Sequence, residues 1–324
     1  MPELPEVETV ARDLQRRVAG AQITGVEVRW DRTIRYPLPP ERFAEELRGA
    51  VIKGVGRRAK SVLIQLADGR VMTVALRMTG ALLVAEPGTP YDRYARVVFR
   101  LADGRELRYR DVRKFGRIGL FEGGSLRVRR VAGRVGRAGA ARRRRARVRE
   151  AATHYRVGDV FARHGPEPLS PSFSARRLAD RLAGRSARLK SLLLDQSFIA
   201  GIGNIYADEA LWLARLSPLR AADTLSQAEV GRLHRSIRKV LRQGITNRGA
   251  SFSDYVGADG EPGENAERLA VYRRTGAPCL RCGRPIQRLV IGQRSTHFCP
   301  HCQPDSSSAV AAAAGSRGQR SSDA

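Results

Sequence analysis

Cysteine, lysine and long apolar runs are scarce in this chain of 324 residues. No stretch of about 18 consecutive apolar residues occurs, so the sequence predicts no membrane-spanning helix. The first ten residues, MPELPEVETV, carry glutamates where a secretory signal would have basic residues followed by an apolar run. With only four cysteines, a disulfide-dense extracellular scaffold is excluded. These absences predict a cytoplasmic protein.

The charge of the chain is strongly unbalanced. Lys and Arg number 59 against 32 Asp and Glu, a formal net charge of +27. Such a field attracts polyanions, nucleic acid first and an anionic membrane surface second. Arginine has almost displaced lysine, a bias that genome composition alone can produce. The retained lysines are informative because lysine can release and relay a proton far more easily than arginine. They are Lys53, Lys60, Lys114, Lys190 and Lys239.

The first 122 residues predict a helix followed by a β-sandwich. Apolar residues recur at helical spacing over residues 4–18, with Glu3 and Glu6 near the positive end of the helix dipole. From about residue 23 the pattern changes to short β-rich runs separated by Asp-Gly turns, typical of a mainly antiparallel domain. The predicted strands are Val26–Trp30, Val62–Leu66, Val71–Ala75, Val97–Leu101 and Ile118–Phe121.

The second half predicts a helical domain, so the fold class is α+β with two domains. Apolar residues return with a period near 3.6 between Leu178 and Ile245, and Ser226 with Glu229 forms a capping box. Residues 123–150 hold eleven arginines among small residues, too charged to build a core. We divide the chain into a β domain (1–122), an arginine-rich mobile insert or linker (123–156), a helical domain (157–256), a loop end and connector (257–272), a cysteine-bearing unit (273–303) and a disordered tail (304–324).

The four cysteines form two pairs with metal-ligand spacing. Cys279-x2-Cys282 and Cys299-x2-Cys302 are separated by sixteen residues, as in a four-cysteine zinc ribbon hairpin. Two disulfides are the alternative reading. The absence of an export signal and of any other cysteine disfavours it. Four thiolates leave no open coordination position, so we predict one structural zinc ion that stiffens a hairpin carrying Gln293 to Thr296.

Several sequence blocks carry a family resemblance. The chain resembles bacterial formamidopyrimidine-DNA glycosylase nearly end to end, through seven features that together are highly specific. These are MPELPEVET at the start, RRAKSVLIQL around Lys60, LRMTG around Met78, DVRKFGRIGL around Arg113, HGPEPL at 164–169, DQSFIAGIGNIYADEALW at 195–212, and the zinc ribbon. The resemblance implies that residues 157–256 hold a helix-two-turn-helix DNA-binding element.

The resemblance also implies a catalytic set. Met1 is lost, and the secondary amine of Pro2 attacks C1′ of the damaged nucleotide to form a Schiff base. An α-amine titrates near pH 8, so a useful fraction is neutral in the cell. Glu3 is the expected general acid/base. Glu6 lies beside it and either assists it or serves only as a structural anchor. Lys60 is the expected proton carrier for β-elimination. Arg294 matches the residue assigned to δ-elimination, and simple phosphate clamping is an equally good account of a guanidinium.

The expected DNA contacts come from the same matching blocks. Three side chains are expected to fill the gap that an extruded base leaves in the duplex. Other side chains are expected to contact phosphate. The glycines before residue 204 leave backbone N–H groups open to phosphate as well. Lys190 lies one turn beyond Arg185, which is one of the expected phosphate contacts. The gap-filling residues are Met78, Arg113 and Phe115, and the phosphate contacts are Tyr94, Arg96, Arg185, Asn204 and Tyr206.

Some positions depart from the family pattern. Residues 93–96 read Arg-Tyr-Ala-Arg where the family commonly has Lys-His-x-His, and the loop 253–264 that would cover the flipped base has Glu264 and Asn265 where bulkier residues are common. The preferred lesion is therefore open. The main prediction is a monomeric glycosylase/lyase acting on oxidised purines in damaged duplex DNA. The alternatives are an endonuclease VIII-like enzyme for oxidised pyrimidines and a non-catalytic zinc-ribbon binder of nucleic acid.

Overall fold

The computed structural model describes residues 1–123, 155–252 and 255–305. Most of the predicted arginine-rich insert, almost all of the predicted tail and residues 253–254 of the predicted loop lie outside this part of the chain. No helix in the described ranges is long and apolar enough to cross a membrane.

The first helix, α1 (Leu4–Val18), has the predicted bounds and joins two hydrophobic cores. Val7, Val10 and Leu14 are buried in the core of the β domain, whereas Leu4 belongs to the core of the helical domain. A capping box between Glu3 and Glu6 starts the helix. Because α1 begins in one core and continues in the other, the residues just before it lie at the junction of the two domains.

Two sheets form the β-sandwich. The four-stranded sheet has the order β1-β7-β8-β6 and the five-stranded sheet has the order β2-β9-β5-β4-β3. All pairs are antiparallel as predicted except β2 with β9, which is parallel. The elements are β1 (Ile23–Val28), β2 (Ile34–Tyr36), α2 (Pro40–Leu47), β3 (Ile52–Arg58), β4 (Ser61–Leu66), β5 (Val71–Ala75), β6 (Gly80–Ala85), β7 (Ala95–Leu101), β8 (Glu106–Asp111) and β9 (Arg117–Phe121).

The helical domain packs around α6 and α7. The predicted capping box at Ser226 and Glu229 is present at the start of α7, and the buried face of α7 includes Val230, Leu233 and Ile237. Residues 195–203 run from α5 to α6 through turns, which is the predicted helix-two-turn-helix order. The helices are α3 (Val157–Val160), α4 (Ala175–Leu182), α5 (Leu189–Leu194), α6 (Asn204–Ala214) and α7 (Gln227–Thr246).

A small hairpin with the four cysteines follows. Strands β10 (Gln287–Ile291) and β11 (Arg294–Phe298) pair antiparallel through a two-residue turn. Both turn residues have positive φ, 52° at Gly292 and 60° at Gln293, as a type I′ turn requires. The turn places Arg294 at the first position of β11, beside the start of α6.

Candidate active site

The N-terminus is attached to the first turn of α6. The Glu3 carboxylate accepts hydrogen bonds from the backbone N–H groups of Gly203, at 2.8 Å, and Ile205, at 3.0 Å. The N–H of Leu4 donates to the carbonyl of Gly201 at 2.9 Å. A Cβ at position 203 would lie 2.4 Å from Cδ of Glu3, so only glycine allows this approach. The N–H groups expected to receive phosphate are therefore used by Glu3 itself.

Glu6 lies one turn further along α1 and is also buried. Its carboxylate accepts from the Tyr206 hydroxyl at 2.7 Å, from the N–H of Ala250 at 2.9 Å and from the N–H of Glu3 at 2.8 Å. Burial raises the pKa of Glu6, and the nearby charge of Glu3 raises it further, while the three donors lower it. All three of these donors belong to the protein itself, which fits the interpretation of Glu6 as an anchor.

Lys60 is the second residue of the tight turn between β3 and β4. Ala59 before it has φ 53°, and its N–H donates to the Glu167 carboxylate at 2.6 Å. Arg57 and Arg58 donate to the same carboxylate at 2.8 and 2.6 Å. Burial opposes ionisation of Glu167, but these arginines hold its pKa below the ordinary value. Glu167, in the HGPEPL block, thus fixes the turn that presents Lys60. The sequence alone had assigned no role to Glu167.

The Lys60 ammonium has an unusual electrostatic environment. Burial lowers its pKa below the ordinary lysine value, and the positive charges of Arg294 and Arg77 act in the same direction. The carboxylates of Glu3 and Glu6 partly oppose this shift. The structure therefore brings Glu3, Lys60 and Arg294, three of the four predicted catalytic residues, within electrostatic reach of one another.

Pro2, the fourth, lies between two cavities. The larger, about 470 Å³, is lined by Pro2 and Lys60 together with Arg35, Arg77 and Arg117. The smaller, about 50 Å³, is lined by Pro2, Glu6, Met78, Phe252 and Tyr255 among others. Met1 lines both cavities and is half exposed. Another cavity, of about 220 Å³, lies behind α6 and α7 and touches none of the predicted catalytic residues.

The three predicted gap-filling side chains project from two loops. Met78 follows β5 and is 36% exposed, and Phe115 follows β8 and is 49% exposed. The Arg113 guanidinium lies 4.8 Å from the centre of the Phe115 ring. Large apolar side chains left this exposed are available to a ligand.

Some of the predicted phosphate-contacting side chains are free to reach a phosphate, and others are already hydrogen-bonded within the protein. Arg185 is exposed, and Tyr94 is half-buried with the guanidinium groups of Arg93, Arg96 and Arg110 within 4.7–5.7 Å of its ring. Arg96 donates through Nε to the Asp111 carbonyl at 2.8 Å, so part of its donor set is occupied. Asn204 donates through Nδ2 to the Ser295 carbonyl at 2.8 Å, while its Oδ1 is buried with no hydrogen-bond partner in the described structure.

Two residues do not lie where the sequence predicts them. Tyr206 was expected at the DNA surface, but it is buried and its hydroxyl is bound to Glu6. Lys190 was read together with Arg185 at that surface, but it is fully buried in an ion pair with Asp208 at 2.5 Å. Asp208 also accepts from the N–H of His297 at 3.0 Å, so this pair links α5 and α6 to β11.

The four cysteines converge as a metal site requires. Their Sγ atoms lie within 4.8 Å of one another, at 3.5 Å for Cys282 and Cys299 and 4.0 Å for Cys279 and Cys302. Tetrahedral Zn–S bonds of about 2.3 Å imply S–S separations of about 3.8 Å, so the set fits one zinc ion. No disulfide joins any of the four in this structure, so their arrangement favours the metal site over the two-disulfide alternative. Trp212 supports the site by donating to Cys279 Sγ at 3.5 Å.

The fold and site together define a class: a two-domain protein with a zinc ribbon and with Pro2 among the residues that line a basic cleft. Three family descriptions match the chain. Residues 1–118 match "Formamidopyrimidine-DNA glycosylase N-terminal domain", residues 164–255 match "Formamidopyrimidine-DNA glycosylase H2TH domain", and residues 276–304 match "Zinc finger found in FPG and IleRS".

Individual relatives agree with this assignment. A protein from Symbiobacterium thermophilum named formamidopyrimidine-DNA glycosylase is 45% identical over 94% of this chain and 90% of its own length. Two solved structures of Lactococcus lactis Fpg are each 31% identical and cover 94% of this chain and all of theirs. One holds abasic-site DNA, with a TM-score of 0.78, and the other N7-benzyl-Fapy-dG DNA, with a TM-score of 0.77. The chain belongs to the formamidopyrimidine-DNA glycosylase family.

Proposed function

We propose that this chain is a bifunctional DNA glycosylase and abasic-site lyase of base excision repair that excises oxidised purines. Its nucleophile is the amine of Pro2 after removal of Met1. The observation that carries the proposal is the position of Pro2 between two cavities, beside Lys60 in one and Glu6 and Met78 in the other. Family membership, and relatives crystallised with N7-benzyl-Fapy-dG or abasic-site DNA, support the class of reaction.

The first half of the reaction removes the base. The Pro2 nitrogen attacks C1′ and loses its N–H proton as the bond from C1′ to the base breaks, so the base leaves and takes up a proton. Protonation of the sugar-ring oxygen then opens the ring, and the nitrogen lone pair forms the C=N bond of the Schiff base. Glu3 is the proton source in this scheme, because three backbone donors orient its carboxyl group one residue from Pro2.

The second half cuts the strand. A base removes the C2′ proton and the C3′–O bond breaks, which is β-elimination; loss of the C4′ proton and cleavage of the C5′–O bond complete δ-elimination. Water then releases the sugar fragment and frees Pro2. Lys60 suits the first proton transfer because its lowered pKa leaves more neutral amine than an ordinary lysine has. Arg294, held near Lys60, either assists the second elimination or clamps the phosphate that leaves.

The remaining predicted residues bind the duplex. Met78, Arg113 and Phe115 fill the gap left by the extruded nucleotide, and Tyr94, Arg96, Arg185 and Asn204 contact the backbone. Tyr206 supports the site from within by holding Glu6. The zinc ion in the four-cysteine site keeps the β10–β11 hairpin folded, and no reaction step involves it. The proposed enzyme is a monomer that acts in the cytoplasm in association with the nucleoid.

Borohydride trapping tests this function directly, because borohydride reduces a Schiff base to a stable covalent bond. The protein should be trapped on duplexes carrying 8-oxoguanine, and Pro2→Gly or Pro2→Thr should lose at least about 100-fold in trapping while still binding damaged DNA. Intact mass of the active preparation should show that Met1 is absent. Wild-type trapping by the Pro2 variants, or an active enzyme that retains Met1, would contradict the mechanism.

The same assay separates the alternatives. A duplex carrying an oxidised pyrimidine should be trapped more slowly than one carrying 8-oxoguanine, and the reverse order would favour an endonuclease VIII-like activity. Binding without trapping on every lesion would indicate a non-catalytic binder. A preformed abasic site serves as a control, because it tests the lyase half without base excision.

A further inference from the structure

The two loops that carry the gap-filling side chains share one buried anchor. In each loop the residue just before the exposed apolar side chain is left-handed, with φ 59° at Arg77 before Met78 and φ 60° at Lys114 before Phe115. Non-glycine residues adopt this conformation at a cost and only where surrounding contacts impose it. The contacts that impose it converge on Asp111, the last residue of β8.

Asp111 is 1% exposed and binds both loops through its two carboxylate oxygens. Oδ1 accepts from the hydroxyl of Thr79, next to Met78, at 2.5 Å, and from the N–H of Arg113 at 3.2 Å. Oδ2 accepts from the N–H of Gly116, next to Phe115, at 2.8 Å. The Thr79 hydroxyl also accepts from the N–H of Arg113 at 3.0 Å, so the two loops are bonded directly as well as through Asp111.

A buried tyrosine closes the same cluster. The Tyr109 hydroxyl donates to Asp111 Oδ2 at 3.3 Å. A Cβ at Gly80 would lie 2.5 Å from this hydroxyl oxygen, and one at Gly116 would lie 1.5 Å from it. Glycine at both positions is therefore what lets the tyrosine reach between the loops. The cluster has little room to adjust, because each loop backbone is in contact with it.

We infer that Asp111 is a positioning residue that couples the Met78 loop to the Arg113–Phe115 loop, so that the gap-filling side chains enter the duplex as one rigid wedge. This inference rests on the proposed function. Two loops that move independently would each have to be ordered when the nucleotide is extruded, whereas a coupled pair is already ordered. Coupling should therefore matter for extruding and excising a stacked base, and matter less for cutting a site that has already lost its base.

Thr79 offers a matched pair of variants. Thr79→Val keeps the shape of the side chain but removes the hydroxyl, while Thr79→Ser keeps the hydroxyl and removes the methyl group. We expect Thr79→Val to slow single-turnover excision of 8-oxoguanine by about tenfold, since a buried hydrogen bond to a carboxylate is lost. Incision at a preformed abasic site should slow by much less. Thr79→Ser should restore most of the excision rate, and Thr33→Val, at a buried threonine outside the cluster, should match wild type in both assays.

Further measurements make the test decisive. Fluorescence of 2-aminopurine next to the lesion should report slower wedge insertion in Thr79→Val, and Asp111→Asn should be at least as slow without adding fully to the Thr79→Val effect. Thermal unfolding checks that each variant is folded.

Three outcomes would overturn the inference: Thr79→Ser as slow as Thr79→Val, excision and abasic-site incision slowed equally, or wild-type excision in both Thr79→Val and Asp111→Asn. A wild-type protein that does not excise 8-oxoguanine would instead contradict the proposed function.

Discussion

Two glutamates one helical turn apart differ in what surrounds their carboxyl groups. Glu3 is bound by backbone donors from the start of α6 and lies next to Pro2, in the position a proton donor needs. Glu6 is bound by a tyrosine hydroxyl and two backbone N–H groups, and burial raises its pKa. We therefore expect Glu3 to move protons and Glu6 to hold the N-terminus against Tyr206.

The pKa of Lys60 gives a prediction at the scale of one residue. The neutral amine is the form that accepts a proton, so the β-elimination rate should rise with pH and level off above the Lys60 pKa. The charge of Arg294 helps to lower this pKa, so removing that charge must raise it. We expect Arg294→Gln to move the rising limb of the pH–rate profile for β-elimination to higher pH.

Two comparisons control this experiment. Arg284→Gln removes an exposed charge from the same zinc-bearing unit and should leave the limb where it is in wild type. Lys60→Arg should slow β-elimination by at least about 100-fold at every pH, because a guanidinium stays protonated. If the rising limb of the pH–rate profile stays at the same pH in Arg294→Gln, the side chains of Lys60 and Arg294 do not interact.

The sequence predicts which residues belong to the site better than it predicts whether their side chains are buried or exposed. Tyr206 lies in a block that matches the family and Lys190 lies just before that block, and the sequence placed both at the DNA surface. Whether a polar residue is buried depends on a distant partner, here Glu6 for Tyr206 and Asp208 for Lys190. Spacing along one segment carries no information about such a partner, and so the error could not be seen in the sequence.

At the scale of elements, the strongest periodic patterns were the best predicted. The bounds of α1 are as expected, and β4, β5, β7 and β9 each lie within two residues of their predicted bounds. The sequence predicted no strand at β2, β3, β6 or β8, and the predicted strand Val26–Trp30 is shifted from β1 (Ile23–Val28). Strand β3, IKGVGRR, has two glycines and three cations and so lacks the alternating pattern of a half-buried strand. Strand β8, ELRYRD, does alternate, but only Leu107 and Tyr109 are apolar, so its strand signal is weak. Pairing with neighbouring strands forms them.

The zinc hairpin gives a prediction at this scale. Loss of the metal should release β10–β11 and with it Arg294, because the bonds from β11 to α6 run through Ser295 and His297 on the same strand. We expect Cys299→Ser to bind less than one zinc per chain and to lose at least about tenfold in affinity for damaged DNA, while the β-sandwich stays folded. Metal analysis and a binding titration measure the two effects.

The two tryptophans allow each part of the molecule to be followed separately. Trp212 donates to Cys279 Sγ, whereas Trp30 lies in the β domain with the Lys114 ammonium 3.7 Å from the centre of its ring. In single-tryptophan variants, zinc chelation should change the fluorescence of Trp212 and leave that of Trp30 unchanged. A zinc-free protein with full DNA affinity, or equal changes at both tryptophans, would contradict the account of the hairpin as a separate metal-held unit.

At the scale of the whole molecule, the excess of cations is distributed beyond the cleft. The net charge is +27, and residues 124–150, outside the described structure, contribute eleven arginines and one glutamate to it. The chain returns to the described structure close to where it left it: the N–H of Glu122 donates to the carbonyl of Tyr155 at 3.1 Å, and the N–H of Val157 to the carbonyl of Glu122 at 3.0 Å. A short linker can therefore replace the whole segment without moving either domain.

Such a replacement tests whether these arginines contact DNA. Each phosphate that a protein neutralises adds about 0.9 to the slope of log affinity against log salt, so even three or four contacts would be resolved. We expect replacement of 124–150 by a Gly-Ser linker to flatten the salt dependence equally for damaged and undamaged duplexes. Single-turnover excision at saturating enzyme should stay near wild type, because Pro2, Lys60 and Arg294 are all positioned by described residues.

The control is a linker of the same length as the native segment, with each arginine replaced by serine, which separates the loss of charge from the shortening of the chain. It should flatten the salt dependence as much as the short linker does. An unchanged slope in both variants would mean that the arginines do not touch DNA. A collapse of excision in the serine variant would mean that charges in this segment take part in the active site, and the division of the chain at residue 123 would then be wrong.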